Sequence, residues 1–332
     1  MTSSHSSAAV LARDPSSLSN SDQAHITHLF WDASINFDQQ IIIAKATYTV
    51  DIVANNANVV KLDTSHLDIH SVLVNDQPAT FSMTVPDASK PHLGSCLEIQ
   101  LISLLDNKKT ITIVISYTTT KQCSAAQWLP PAQTAGRKYP YVFTQCQAIH
   151  ARSLLPCMDC PAVKMTYEAR VVVPTWATCV MSALSKEELA LPSSQQATAA
   201  DADADTKVFY FHQPVPIPSY LFALAVGELS SVDISSRCRV WSEPSMVSAV
   251  AYEFDQVEQF IQVAEQLTFE YQWTRYDILC LPPSFPYGGM ENPCVSNFRR
   301  PNKHLSYVSP SFSYHIIICC FLFYTLCGKK YS

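Results

Sequence analysis

A period of two limits what this chain can fold into more than any other feature. Ile42, Ala44, Ala46, Tyr48, Val50 and Ile52 alternate with more polar residues. The alternation returns in Val59 to Ile69, in Val72 to Val74, in Leu97, Ile99 and Leu101, in Ile111, Ile113, Ile115 and Tyr117, and in Met165, Tyr167, Ala169, Val171 and Val173. Successive side chains of a strand point to opposite faces, so each run buries one face and wets the other. Asn75-Asp76-Gln77-Pro78 and Asp106-Asn107 supply turn chemistry between runs. Helical periodicity is almost absent before about Pro214, which predicts a mainly β domain, a sandwich or saddle of largely antiparallel sheets. Val208 to Phe211 continues the sheet, Pro214 to Pro218 reads as a stiff link, and Tyr220 to Val226 reads as a last apolar strand.

Beyond Gly227 to Asp233, where a domain boundary is expected, the period changes. Phe254, Val257, Ile261, Ala264 and Leu267 recur at three and four and predict an amphipathic helix, with Tyr276 to Leu281 as a short strand after it. The chain divides into a polar leader over 1–21, expected to be disordered, a β-rich domain over 22–230, a second lobe begun over 231–298, and a divergent apolar tail over 299–332. With 332 residues and 48% hydrophobic content it can form two cores. A net charge of -6 leaves no basic footprint, which argues against nucleic acid as a partner. The leader shows no basic region followed by an apolar core, so a cytoplasmic location is expected, with the twelve cysteines as reduced thiols. The tail's apolar run is shorter than the roughly twenty residues a spanning helix needs, so a membrane is not an expected partner either.

Several side-chain groups resemble sites and are set aside on geometry. Cys157-Met158-Asp159-Cys160 lacks the second pair of a zinc ribbon and the βαβ setting of a thioredoxin-like motif. His66 and His70 have a helical metal pair's spacing, yet both fall within Leu62 to Val74, where alternation reads strand. His25 and His28 are set aside with them. Asp201, Asp203 and Asp205 lack the glycine and distal glutamate of a calcium loop, so a solvated hairpin loop is expected there.

Two stretches keep both a functional and a bland reading. Gln145 and Gln147 are read on one face of a strand, where their amides either pin a peptide backbone or amine, or lie on a solvated sheet face. In Leu281 to Cys294, Pro282, Pro283 and Pro286 precede Gly288-Gly289, and Glu291 follows at once. That is either a turn with a solvated glutamate, or backbone without a Cβ beside a carboxylate, suited to a charged peptide terminus.

Gly288-Gly289-Met290-Glu291-Asn292 resembles the Gly-x-Met-Glu-Asn signature of the gluzincin zinc aminopeptidases. Pro282 to Tyr287, together with Gln145 to Cys157, Asp159 and Pro161, is similar to the leukotriene A-4 hydrolase branch of that family. The resemblance covers roughly Ala24 to Cys294. It implies a saddle-like β domain followed by the start of a thermolysin-like α/β catalytic lobe, in a zinc metalloaminopeptidase that also hydrolyses a lipid epoxide. By that resemblance Glu291 binds a free α-amine and Gly288 and Gly289 the peptide backbone, with Met290 and Asn292 completing the motif. Gln147 and Ala148, with Gln145 beside them, and Tyr287 line the pocket, and His150 and Arg152 are scaffold. The implied partners are peptide N-termini or a small lipid.

The family pattern is read as lost after Cys294. The family's next element carries His-Glu-x-x-His, in which two histidines one helical turn apart share a Zn²⁺ and the glutamate polarises the attacking water. No such stretch occurs in the 332 residues. His315 stands near the expected distance, but Ile316 and Cys319 replace the glutamate and the second histidine. The expectation is therefore a chain that ends before the zinc motif, keeps part of the substrate site, does not bind the family's zinc and is inactive as an enzyme. The alternatives are a non-catalytic peptide-binding or interaction module, or a truncated isoform.

Overall fold

The structure, a computed structural model, describes residues 14–54, 57–101, 109–185 and 205–299. His315, Cys319 and the rest of the tail, Asp201 and Asp203, and the Asp106-Asn107 turn lie outside the described residues.

The β-rich part begins with β1 (Ala24–Asn36), β2 (Ile41–Ile52), β3 (Val59–Thr64), β4 (Leu67–Val74), β5 (Gln77–Pro78), β6 (Phe81–Met83), β7 (Ser95–Gln100) and β8 (Thr110–Thr119), of which β2, β3, β4, β7 and β8 carry the alternating runs. They are followed by β9 (Ala126–Leu129), β10 (Tyr141–Thr144), β11 (Lys164–Pro174), β12 (Thr178–Met181), β13 (Leu184–Ser185), β14 (Thr206–Pro218) and β15 (Leu224–Gly227). An eight-stranded sheet of order β13-β14-β11-β1-β2-β8-β4-β5 dominates, beside a four-stranded sheet β12-β15-β10-β9 and a three-stranded sheet β3-β7-β6. β1 lies at its centre, antiparallel to β2 and parallel to β11, and Trp31 stands opposite Ala46 on one side and Ala169 on the other. Two alanines beside the largest side chain leave room for its ring.

Beyond Gly227 a mixed sheet of order β16-β17-β18-β20-β19 forms, with β16 (Ser230–Asp233), β17 (Arg239–Ser242), α1 (Val247–Glu253), α2 (Val257–Leu267), β18 (Asp277–Leu281), β19 (Gly289–Glu291) and β20 (Val295–Arg299). The β-rich part and this α/β start agree with the predicted fold class. No helix among the described residues is long and apolar enough to cross a membrane.

Local differences from the sequence reading each have a cause. The run Val59 to Ile69 breaks at His66, whose φ of 53° turns the chain so that β3 and β4 enter different sheets. His66 thus lies in a turn, while His70 sits at a register shift and shares a hydrogen bond with Thr118 Oγ1 at 2.8 Å. Pro214 to Pro218 is not a link but the end of β14. The step from Met165 to Tyr167 on β11 is matched there by the longer step from Gln213 to Ile217, a bulge that accommodates residues without an N–H. Tyr220 begins no strand: Ser219–Leu221 is a 3-10 turn before β15. The helix expected from Phe254 starts at Val257, with Phe254 capping α1, a short element not anticipated in the sequence. The leader is packed from Asp14 onward: Ser17 Oγ and the Leu18 N–H both donate to Asp63 at 2.6 Å.

Arg237, in the turn before β17, forks between Glu258 (3.0 Å) and Glu265 (2.8 Å) on α2 and pins that helix to the sheet. Burial opposes ionisation of Glu258, but hydrogen bonds from Arg237, Ser235 and Gln262 outweigh it and hold the carboxyl at about 2, against an ordinary 4.5. A depressed carboxyl pKa adds stability above the unfolded value that is lost as pH falls through the folded one. Melting temperature should accordingly fall between pH 4.5 and 2. In Arg237→Ala the part of that fall due to Glu258 should shrink, since Ser235 and Gln262 still donate to it; superimposable acid limbs for the two proteins would refute the assignment.

Candidate functional site: a strand and turn at Gly289 to Cys294

β18 is buried along its whole length and lies between two parallel neighbours, β17 and β20. It delivers Pro282 to Gly288 at its carboxyl end, where open α/β sheets place ligand crevices. The chain returns as β19, antiparallel to β20, with Gly289 opposite Phe298, Met290 opposite Asn297 and Glu291 opposite Ser296. β19 is the last strand of that sheet among the described residues. The Arg299 N–H donates to Gly288 O at 3.1 Å. Bonded and non-bonded pairs alternate along an antiparallel ladder, so the main-chain groups of Gly289 face the open side.

Side chains in this segment divide by face. Met290 is buried, and Asn292 is buried with its N–H donating to Met290 O at 3.1 Å. Glu291 is half-buried, and burial pushes its carboxyl above the ordinary 4.5 against the pull of its own backbone N–H. Phe285 is fully buried, and Tyr287, 49% exposed, meets its ring at 6.0 Å.

The Phe285 ring also touches Phe143 of β10 edge-on at 5.7 Å, which brings the two sequence-predicted segments together. β10 ends at Thr144, so Gln145 and Gln147 do not share the face of a strand as expected. Gln145 is half-buried and donates its N–H to Ala125 O at 2.8 Å; Gln147 and Ala148 are exposed in the turn that follows, joined by a cis peptide. His150 shares a hydrogen bond with Ser124 Oγ at 2.8 Å. Arg152 is buried against Asp159 at 3.0 Å.

Sequence reading missed two polar residues that fix the site's surroundings. Glu243 is buried and accepts from the Ala135 N–H, and Gln213 is fully buried beside Cys294. Gln213 does not stand out because it occupies a position of β14 where an apolar residue would be equally regular, and Glu243 follows the end of β17 with no local signal. The Cys157 and Cys160 thiols are buried, which pushes both pKa values up and keeps them protonated.

The peptidase M1 N-terminal domain matches residues 23–221 of this chain. The chain belongs to the peptidase M1 family. A second M1 match, to the peptidase family M1 domain, covers residues 252–308 and runs past Cys294, where sequence reading had the family pattern lost; β20 lies within it. The chain is 40% identical over 283 residues to leukotriene A-4 hydrolase of Xenopus laevis, covering 85% of this chain and 44% of that one. It is 42% identical over 287 residues to leucine aminopeptidase 2 of Yarrowia lipolytica, covering 86% and 41%. Among solved structures, yeast LTA4 hydrolase in complex with bestatin superposes with a TM-score of 0.76 at 36% identity, over 88% of this chain and 43% of that one. The chain thus spans less than half the length of these M1 relatives. An M1 zinc metallopeptidase of Deinococcus radiodurans, at 19% identity and a TM-score of 0.64 over 83% of this chain and 60% of that one, shares the fold.

Zinc is the metal named for such relatives. Among the described residues of this chain, no three His, Cys, Asp or Glu side chains group closely enough to hold a metal ion, so those residues do not fit a zinc site.

Proposed function

We propose that this chain carries the amine-recognition part of an M1 aminopeptidase site and binds peptides through their free N-terminus. The observation that carries this reading is the placement of Glu291 on the last strand of its sheet among the described residues. A peptide main chain can extend the sheet along Gly289, where no Cβ stands in the way, while the Glu291 carboxylate takes the α-ammonium. Tyr287 offers a partly exposed ring beside that edge for the first side chain of the peptide. Hydrolysis in this family draws on zinc, and the 332 residues contain no His-Glu-x-x-His. On this reading the residues at hand recognise the substrate and do not themselves cleave it.

Titration calorimetry of the full chain with trialanine and with N-acetyl-trialanine tests this. The free-amine peptide should bind and the acetylated one should not. Glu291→Gln should weaken binding by about ten- to a hundredfold, the value of a hydrogen bond between charged partners. Because burial raises the Glu291 pKa, wild-type affinity should fall with acid at a pH above 4.5. Equal binding of the two peptides would refute the reading.

A further inference from the structure

We infer that Gln213, on the β-rich part of the chain, is a positioning residue for the recognition edge, acting through Cys294. This rests on the proposed amine recognition at Glu291 and names what holds that edge in place.

Gln213 is completely buried on β14. Its position follows from the sequence, because the prolines that come next force the bulge against β11 and end regular pairing at Gln213. Every amide function of its side chain is used. Nε2 donates to Ser182 O at 2.9 Å and to Cys294 Sγ at 3.5 Å, and Oε1 accepts from the Val215 N–H at 3.2 Å. Ser182 is itself held: its Oγ shares a hydrogen bond with Tyr167 Oη at 2.9 Å and accepts from the Ala223 N–H at 3.0 Å. The donor aimed at Cys294 is therefore fixed to β11 and β14 of the eight-stranded sheet and to the turn that follows β12.

On the other side, Cys294 closes the turn between β19 and β20. It has a φ of 64°, in the left-handed region that is unfavourable for a residue with a Cβ. Burial and bonding on every side offset that cost. The thiol accepts from Gln213 and donates to Trp273 O at 3.7 Å, and Cys294 O accepts from the Asp277 N–H at 2.8 Å. Cys294 thus joins Gln213 of the β-rich part, and through it Ser182, to Trp273 by its sulfur and to the start of β18 by its carbonyl in the α/β part. Pro293 and Asn292 separate it from Glu291 and leave little slack, since proline fixes one of the intervening torsions. A shift of Cys294 therefore moves the Glu291 carboxylate.

Three full-length variants and two readouts test this. Cys294→Ala removes the thiol, Gln213→Leu removes its donor at similar volume, and Cys294→Ser keeps a group that both donates and accepts. Backbone hydrogen exchange over 288–295 should speed up in Cys294→Ala and Gln213→Leu while exchange in β1 and β11 is unchanged. Cys294→Ser should stay near wild type. Trialanine affinity should fall about three- to tenfold in either of the first two variants, as for one neutral hydrogen bond. The double variant should lose little more, because both changes break one contact. Unchanged exchange over 288–295 in Cys294→Ala would overturn the inference, and so would a double variant whose losses simply add. If wild type fails to distinguish trialanine from its acetylated form, amine recognition fails, and the exchange result still decides whether Gln213 and Cys294 order the edge.

Discussion

Arg152→Met is expected to destabilise the protein by about 3–5 kcal/mol, the cost of removing one partner from a buried ion pair. Arg152 is 1% exposed, and its guanidinium is used around its rim. Nε donates to Asp159 Oδ2 at 3.0 Å, Nη1 to Leu93 O at 2.9 Å and Nη2 to Ser16 O at 2.8 Å, while Asp63 Oδ1 lies 3.8 Å from Nη1. One cation therefore serves two buried carboxylates. Asp63 also accepts from Ser17 Oγ, the Leu18 N–H and the Asp159 N–H, and Asp159 from Ser219 Oγ at 2.7 Å. Methionine matches much of the volume and none of the charge, so both carboxylates keep their burial and lose their counterion. Even with Arg152 present, burial pushes the Asp159 carboxyl above its ordinary value against its hydrogen bonds. A raised carboxyl pKa means stability that is lost as pH rises through the folded value. Without the arginine the rise is larger, so the penalty of Arg152→Met should shrink on acidification. Urea midpoints at pH 8 and pH 5 check both size and sign, and a loss below 1 kcal/mol at pH 8 would contradict the cluster's role. Because Arg152 also holds Ser16 O, limited proteolysis of the variant should cut first near residues 14–20.

Much of the first fold element was legible in the sequence for a physical reason. A strand with one buried face must alternate, and β8 and β11 do so over their full lengths and β2 up to Asp51, whereas β1, which the sequence reading did not pick out, loses phase at a register shift between Ile26 and His28. Pairing partners were not legible, because alternation marks a face and not a neighbour: β1 pairs with β11 across more than a hundred residues. Breaks within a pattern were hidden too. His66 turns the chain with no glycine or proline to mark it, and Pro214 to Pro218 extends a strand because a bulge next to a short edge strand tolerates missing donors.

The site divides in the same way. Pro282 to Asn292 carried its own local signals, and among the described residues Gly289 and Glu291 lie on the last strand of their sheet. Gln145 and Gln147 were misplaced on a strand because the apolar run Tyr141 to Phe143 leads straight into them, and nothing in the residues shows that pairing stops at Thr144. What positions the site was invisible, since Gln213, Cys294, Phe143 and Phe285 come from distant parts of the chain and only folding makes them neighbours.

Trp31→Ala should cost about 3–5 kcal/mol, as expected for a large aromatic ring removed from a close-packed core. Trp31 is fully buried at the centre of the eight-stranded sheet, and Phe222 meets its ring edge-on at 5.2 Å. Its opposite neighbours on β2 and β11 are Ala46 and Ala169, which are too short to fill the space it would leave. The indole also begins a chain of hydrogen bonds. Trp31 Nε1 donates to Tyr117 Oη at 2.9 Å, Tyr117 Oη donates to Leu154 O at 3.0 Å, and Tyr48 Oη donates to Pro156 O. These bonds fasten the 154–156 segment, between Arg152 and Asp159, onto the sheet. The cavity and the loosened segment therefore act on the same stretch of chain that holds the buried ion cluster. Trp31→Phe separates the two effects: it keeps most of the volume, leaves the Tyr117 donation to Leu154 intact and should cost about 1 kcal/mol, one net hydrogen bond. If Trp31→Phe proves as damaging as Trp31→Ala, the indole N–H and not the ring volume secures this layer. If the double variant of Trp31→Ala with Arg152→Met loses less than the two single changes added together, the sheet centre and the ion cluster are coupled through 154–156.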